Sequence, residues 1–236
     1  MRGSARTHSV RTTLALAAGV SGLLCAALGT GIASAAAGVG AAAGEPNASQ
    51  LKAALLSQQD LGPGYTLVPT STPSPGSGGG SAVAGCPQLS GLLNATTSGG
   101  QTVASETYQG GQTGPFLSEA LRTAPGSTPH TDDAHDKAAL TSCKSMTVNA
   151  GGAPLKLSMT PTDLGVAGST AVRLTGSFEG VQISGDLAVD QVGQVELGYL
   201  FLQIDDASQQ QAVAVFKQAD AKVHQAFGTA ASGSSV

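Results

Sequence analysis

GVAGSTAVRLTGSFEGVQISGDLAVDQVGQVELGYLFLQI, residues 165–204, reads as three consecutive strands. Val172, Leu174 and Phe178 alternate with Arg173, Thr175 and Ser177. After Glu179-Gly180, Val181, Ile183, Leu187 and Val189 alternate with Gln182, Ser184, Asp186 and Asp190. After Val192-Gly193 come Val195, Leu197, Tyr199 and Phe201. Apolar residues two apart share one face of a strand, and the glycine at each tip supplies the backbone freedom that tight hairpins need. In the third strand Leu200, Leu202 and Ile204 fill the opposite face as well, so this strand is expected to be central and covered on both sides.

Working outward, three helices are expected: 48–58, 131–146 and 206–227. Asn47 can cap the first, with Gln50 as its capping-box partner; Gly62-Pro63-Gly64 stops it before a short strand at Tyr65–Val68. The second starts with polar turns and continues with a stripe of Ala138, Ala139, Leu140, Cys143 and Met146. The third is capped by Asp205-Asp206 with Gln209 at the box position. It presents Ala212, Phe216, Ala219, Val223 and Phe227 on one face and stops at Gly228. A short helix is read over 86–94, a hairpin over 101–109 and 115–124, and a strand over Leu155–Thr160 ended by Pro161. The inner face of the second hairpin strand, with Phe116 and Ser118, is not defined by its pattern. Strands in runs with helices between them imply an α+β fold: an antiparallel sheet with a C-terminal three-stranded meander, packed by helices. Residues 47–228 form the expected single domain. Residues 69–85, PTSTPSPGSGGGSAVAG, read as a mobile low-complexity loop and 229–236 as a disordered tail.

The chain has 236 residues and a formal charge of −4. Arg2, Arg6 and Arg11 precede an apolar run that ends in Ala33-Ser34-Ala35, the layout of a secretory signal peptide. Cleavage is expected between Ala35 and Ala36, leaving a disordered spacer over 36–46. Two other readings stand beside it: an uncleaved N-terminal membrane anchor over Leu14–Ala33, and a lipoprotein anchored through Cys25, where Leu24 is large for a lipobox. Without residues 1–35, 8 basic residues face 15 acidic ones, a formal charge of −7. A mildly acidic chain with no Lys/Arg cluster argues against nucleic acid and against anionic membrane surfaces as partners. With Cys25 gone, Cys86 and Cys143 are an even pair in an exported chain and read as one disulfide. The sequons at Asn47 and Asn94 are read as chance.

The constellations that could carry chemistry are few. His130, Asp132, Asp133, His135 and Asp136 could gather a divalent metal, but acids in a helix's first turn also simply complement its dipole. Of the histidines expected in the mature chain (His130, His135, His224), His224 sits where a helix C-terminus favours a cation. No Gly-x-Ser-x-Gly elbow follows a strand. Gly76–Gly80 lacks the lysine of a phosphate loop. Asp186, Asp190 and Glu196 could pair for acid–base work, but are read as acids on solvated strand faces. The expectation is therefore no catalytic residue, no metal site and no cofactor.

The pieces LLSQQDLGPGY (55–65), Cys86-Pro87, GPFLSE (114–119), LTSC (140–143), and AVRLTG (171–176) through Val192-Gly193 resemble the actinobacterial secreted sensor-domain proteins. These are similar to the extracellular sensor domain of PknH-type serine/threonine kinases. The resemblance spans about Gln50–Phe227. It implies a secreted, non-catalytic, envelope-facing domain with a cleft for a small-molecule or cell-wall ligand of unknown identity. The sequence departs from the kinase type in permitting only one disulfide and in carrying no kinase segment, so signalling through a linked kinase is not carried over. The alternative is a hydrophobic-ligand or lipid carrier of the envelope; a hydrolase ranks third. Neither signalling partner nor oligomeric state can be read from the residues.

Overall fold

In the computed structural model, residues 45–69, 83–94, 102–111, 114–123, 129–150, 153–204 and 209–228 are described. The signal peptide and its cleavage point, residues 70–82 of the expected loop, the Asp205-Asp206 cap and the tail 229–236 lie outside them, as do the side chains of His130 and Asp132. Eight strands build one antiparallel sheet: β1 (Tyr65–Leu67), β2 (Thr102–Gly110), β3 (Phe116–Thr123), β4 (Ser145–Ala150), β5 (Ala153–Thr162), β6 (Thr170–Phe178), β7 (Val181–Val192) and β8 (Val195–Ile204). Their spatial order is β1-β2-β3-β8-β7-β6-β5-β4. The helices are α1 (Ala48–Ala54), α2 (Gln58–Leu61), α3 (Ser90–Asn94, after a 3-10 turn at Pro87–Leu89), α4 (Pro129–Ser142) and α5 (Gln209–Phe227).

The expected meander is β6-β7-β8. Phe178 pairs with Val181 and Val192 with Val195, so both connections are two-residue hairpins. Glu179 and Gly180 both take positive φ, 51° and 84°, as a right-twisted two-residue turn requires. β8 is central, between β3 and β7. Its Val195, Leu197, Tyr199 and Phe201 face α5, where Ala212, Val215, Phe216, Ala219 and Val223 are buried. Full burial of a side chain such as Phe216 is worth ~1.5–3 kcal/mol. The buried Tyr199 hydroxyl donates to Ala212 O at 2.8 Å, which satisfies its polar end. The other face carries a second core: Leu89, Leu140, Met146, Leu157, Leu174 and Leu187, closed by the Cys86–Cys143 disulfide. On that face of β8, Glu196 and Gly198 are buried but Leu200, Leu202 and Ile204 only half so. A Cβ on Gly198 would stand 2.6 Å from Leu92, so glycine there lets α3 settle on the sheet.

Several boundaries differ from expectation. Helix 48–58 is two helices, because Ser57 starts a new capping box with Asp60 and Leu56 N–H is drawn off to Glu119. The Asn47–Gln50 box forms as expected. Helix 131–146 is α4, over 129–142, and Ser145–Ala150 is a strand. Met146 mimics the next step of the helical stripe, but its backbone pairs with Leu157. Ala138 is exposed; Asp133 and Asp136 take the inward positions instead. Helix 206–227 is described from Gln209. Strand β5 continues through Pro161, which pairs with Val172 beyond the end of β4, where one side of the strand is an edge that needs no donor. Val83–Gly85, expected in the mobile loop, is held: Ala84 bridges to Thr147 in both directions at 3.2 and 2.8 Å. Glu45, expected in the spacer, accepts from Thr123 Oγ1 at 3.0 Å. β3 aims Leu117, Glu119 and Leu121 at the α5 side, in register with Phe201, Tyr199 and Leu197.

Candidate functional site: buried carboxylates and a polar concavity

The sheet carries four buried acids, and none lies on a solvated face. Asp186 and Glu119 are fully buried, and Asp190 and Glu196 nearly so. Asp186 and Asp190 alternate with Ala188 on the face under α5; Glu196 lies on the face under α4. The three acids singled out from sequence are therefore divided between two layers, with Glu196 separated from Asp186 and Asp190 by the sheet.

Asp186 accepts from Arg173 Nη1 at 2.7 Å and from Gln209 Nε2 at 2.9 Å, and Gln209 also reaches Thr162 Oγ1 at 3.0 Å. Burial pushes its carboxyl up, with Arg173 and Gln209 pulling the other way. Glu196 meets Arg122, its cross-strand neighbour, and the same Arg122 Nη2 meets Asp136 of α4. One guanidinium thus serves two buried carboxylates. Burial pushes Glu196 up to about 8, and the charge of Asp136 adds to the rise against the pull of Arg122.

Glu119 accepts from Leu56 N–H at 2.8 Å through Oε2, while its buried Oε1 has no hydrogen-bond partner. Burial pushes it up to about 7. Glu106 stands directly across the strand pair, and the Tyr108 hydroxyl, which contacts Glu106, also donates to Leu56 O at 2.8 Å. These contacts explain the LLSQQD segment. Lys222 of α5 donates to Leu55 O at 2.6 Å and to Asp60 Oδ2 at 2.7 Å, and the bonds from Lys222 and Ser57 hold the Asp60 carboxyl down at about 2.

Asp190 lies against Asp220, with His224 one turn further along α5. Burial first, then the adjoining Asp220 carboxylate, pushes Asp190 up to about 6. Of the 130–136 cluster, the described side chains go to different partners: Asp133 pairs with Lys137 at 3.0 Å, Asp136 turns to Arg122, and His135 is exposed, 3.4 Å from Asp136 Oδ1.

Two recesses bear on ligand binding. The first, about 400 Å³, is open to solvent at the β5–β6 connection. It is lined by residues 161–163 and 166–171 together with Thr141, including Thr162, Asp163, Ser169 and Thr170. The second, about 20 Å³, lies between α3 and β8 on the half-buried apolar face, beside Leu92, Leu93, Leu187 and Leu200.

Sequence reasoning missed Glu119, Arg122, Asp220 and Lys222. Glu119 alone left a signal: it falls in period with Leu117 and Leu121, and so on the apolar face of β3.

The fold and these sites define an α+β protein whose single antiparallel sheet is covered by helices on both faces. In fold it is similar to the crystal structure of the extracellular domain of PknH from Mycobacterium tuberculosis, with a TM-score of 0.47 and 14% sequence identity over 76% of this chain and 97% of that one. No protein-family profile matches the sequence. No curated protein matches it either.

Proposed function

We propose that this chain is an exported, non-catalytic recognition domain of the sensor type, working at the cell envelope after cleavage between Ala35 and Ala36, and that its ligand is a small polar molecule or wall fragment. The observation that carries the reading is the concavity of about 400 Å³ at the β5–β6 connection, within the ~300–1,000 Å³ span of small-ligand sites. Its rim offers hydroxyls and the Asp163 carboxylate beside Pro161, Val166 and Ala171. Asp163 Oδ1 accepts from Gly165 N–H at 2.7 Å, and Ser169 donates to Val166 O at 2.8 Å, so the rim has a defined shape before any ligand arrives. The exported context is supported by the N-terminal sequence pattern and by the Cys86–Cys143 disulfide. Among the described residues no helix is long and apolar enough to cross a membrane.

The carrier alternative has less support. The recess on the apolar face of β8, at about 20 Å³, has room for about one water and none for an acyl chain. An NMR titration separates the two. A soluble muropeptide should shift resonances of Thr141 and residues 161–171. Shifts at Leu92, Leu93, Leu200 and Leu202 with phospholipid vesicles, and none with muropeptide, would establish the carrier and refute the sensor reading.

A further inference from the structure

We propose that Asp190, Asp220 and His224 form a binding site for one divalent transition-metal ion, with zinc the best match. Each of the three residues offers a ligand atom, and these atoms lie within 4.8 Å of one another. Asp220 and His224 are four apart on α5, so they project from one helix face. Asp190 comes from β7 opposite, and makes the set a three-point clamp rather than a helical pair. Two carboxylate oxygens with one imidazole nitrogen is a mixed donor set that suits zinc or manganese better than calcium or magnesium, which favour oxygen alone.

The burial is what sets this group apart from surface acids. Asp190 is 3% exposed, and the side chain it faces is a second carboxylate. Asp220 Oδ1 is buried with no hydrogen-bond partner, and His224 Nε2 stands 3.5 Å from it. Two carboxylates enclosed together need a proton or a cation between them. The connection that lines the concavity also roofs this site: a Cβ on Gly168 would lie 3.7 Å from Asp190 Oδ1. Zinc ligands 2.0–2.2 Å from the ion stand roughly 3.4 Å apart in a tetrahedron, so the three atoms need only small side-chain rotations to close. His224 is half exposed and gives the ion its way in. The site stands whether or not the concavity binds a ligand.

The test is calorimetric titration of the chelator-treated, full-length protein with Zn²⁺, alongside thermal melts with and without the ion. One equivalent should bind to the wild type and raise its melting temperature. His224→Ala, at a half-exposed position that cannot unfold the domain by cavity formation, should weaken binding at least tenfold and abolish the thermal shift. Asp190→Asn should do the same if it folds. His135→Ala, at an exposed histidine, should leave both unchanged. Absence of stoichiometric binding to the wild type, or affinity unchanged in His224→Ala, would overturn the proposal.

Discussion

The backbone N–H of Leu56 donates to Glu119 Oε2 at 2.8 Å and joins the α1–α2 break to the middle of β3 across 63 residues. The other oxygen of that carboxylate is buried without a partner, so the site favours the protonated acid. The folded state holds this carboxyl at about 7 against an ordinary 4.5. A pKa raised on folding means that the native state binds the extra proton between those values. The contribution is therefore complete below about 4.5 and is lost as pH rises through about 7. The stability difference between wild type and Glu119→Gln should fall by on the order of 3 kcal/mol from low to high pH. Urea unfolding at pH 5 and pH 8 measures it, and a difference that does not move with pH contradicts this account. Asp190 and Glu196 are raised as well, so the wild type should lose stability towards alkaline pH by more than Glu119 alone accounts for.

Lys222 bonds both Leu55 O and Asp60 Oδ2. With both charged groups about 30% exposed, solvent discounts the pair, and Lys222→Met should cost ~1 kcal/mol. Its effect should be local. Hydrogen exchange should quicken at residues 55–61 and stay unchanged in β7 and β8. Uniform quickening would show that the contact supports the whole sheet rather than the segment. Asp60 is held low, at about 2 against 3.8, so its contribution is present above about pH 4 and lost as pH falls towards 2.

Arg122 is the shared cation of Asp136 and Glu196, and all three are buried. Arg122→Met leaves two carboxylates facing each other without it, a change expected to cost ~3–5 kcal/mol. Replacing all three with apolar residues of similar volume should recover most of that loss. A triple variant no more stable than Arg122→Met in chemical denaturation would show that the triad supplies packing rather than charge balance.

Cys86 and Cys143 are bonded, 57 positions apart. Closing a loop of that length stabilises by ~4 kcal/mol on chain-entropy grounds. Cys86 is fully buried beside Leu89, Leu140 and Met146. Cys143→Ala should lower the melting temperature by ~10 °C at this chain length. Thiol labelling of secreted protein without reductant should fail; two labelled thiols would refute the bond.

Export should leave a chain that starts at Ala36 or within a few residues of it, as the Ala33-Ser34-Ala35 pattern requires. Amino-terminal sequencing of protein from the medium checks this. A full-length chain retained in membranes, or one lipidated at Cys25, selects the corresponding anchor instead.

The residue pattern alone determined the α+β class, the β6–β7–β8 meander, the Asn47 capping box and the Cys86–Cys143 pairing. Each of these is encoded locally or by a count: alternation over ten residues, a glycine at a hairpin tip, an oxygen three residues before an N–H, two cysteines after a signal-peptide pattern. Strand order was not legible, because nothing in Phe116–Thr123 states that it will lie beside Val195–Ile204 rather than at an edge. The fate of the acids was not legible either. Period two assigns Asp186, Asp190 and Glu196 to faces correctly, yet whether a face meets water or a helix depends on elements elsewhere in the chain: Gln209, Asp220 and His224 from α5, Arg122 from β3, Asp136 from α4. A carboxylate stays buried only where such partners offset its desolvation, and those partners converge only in the tertiary structure.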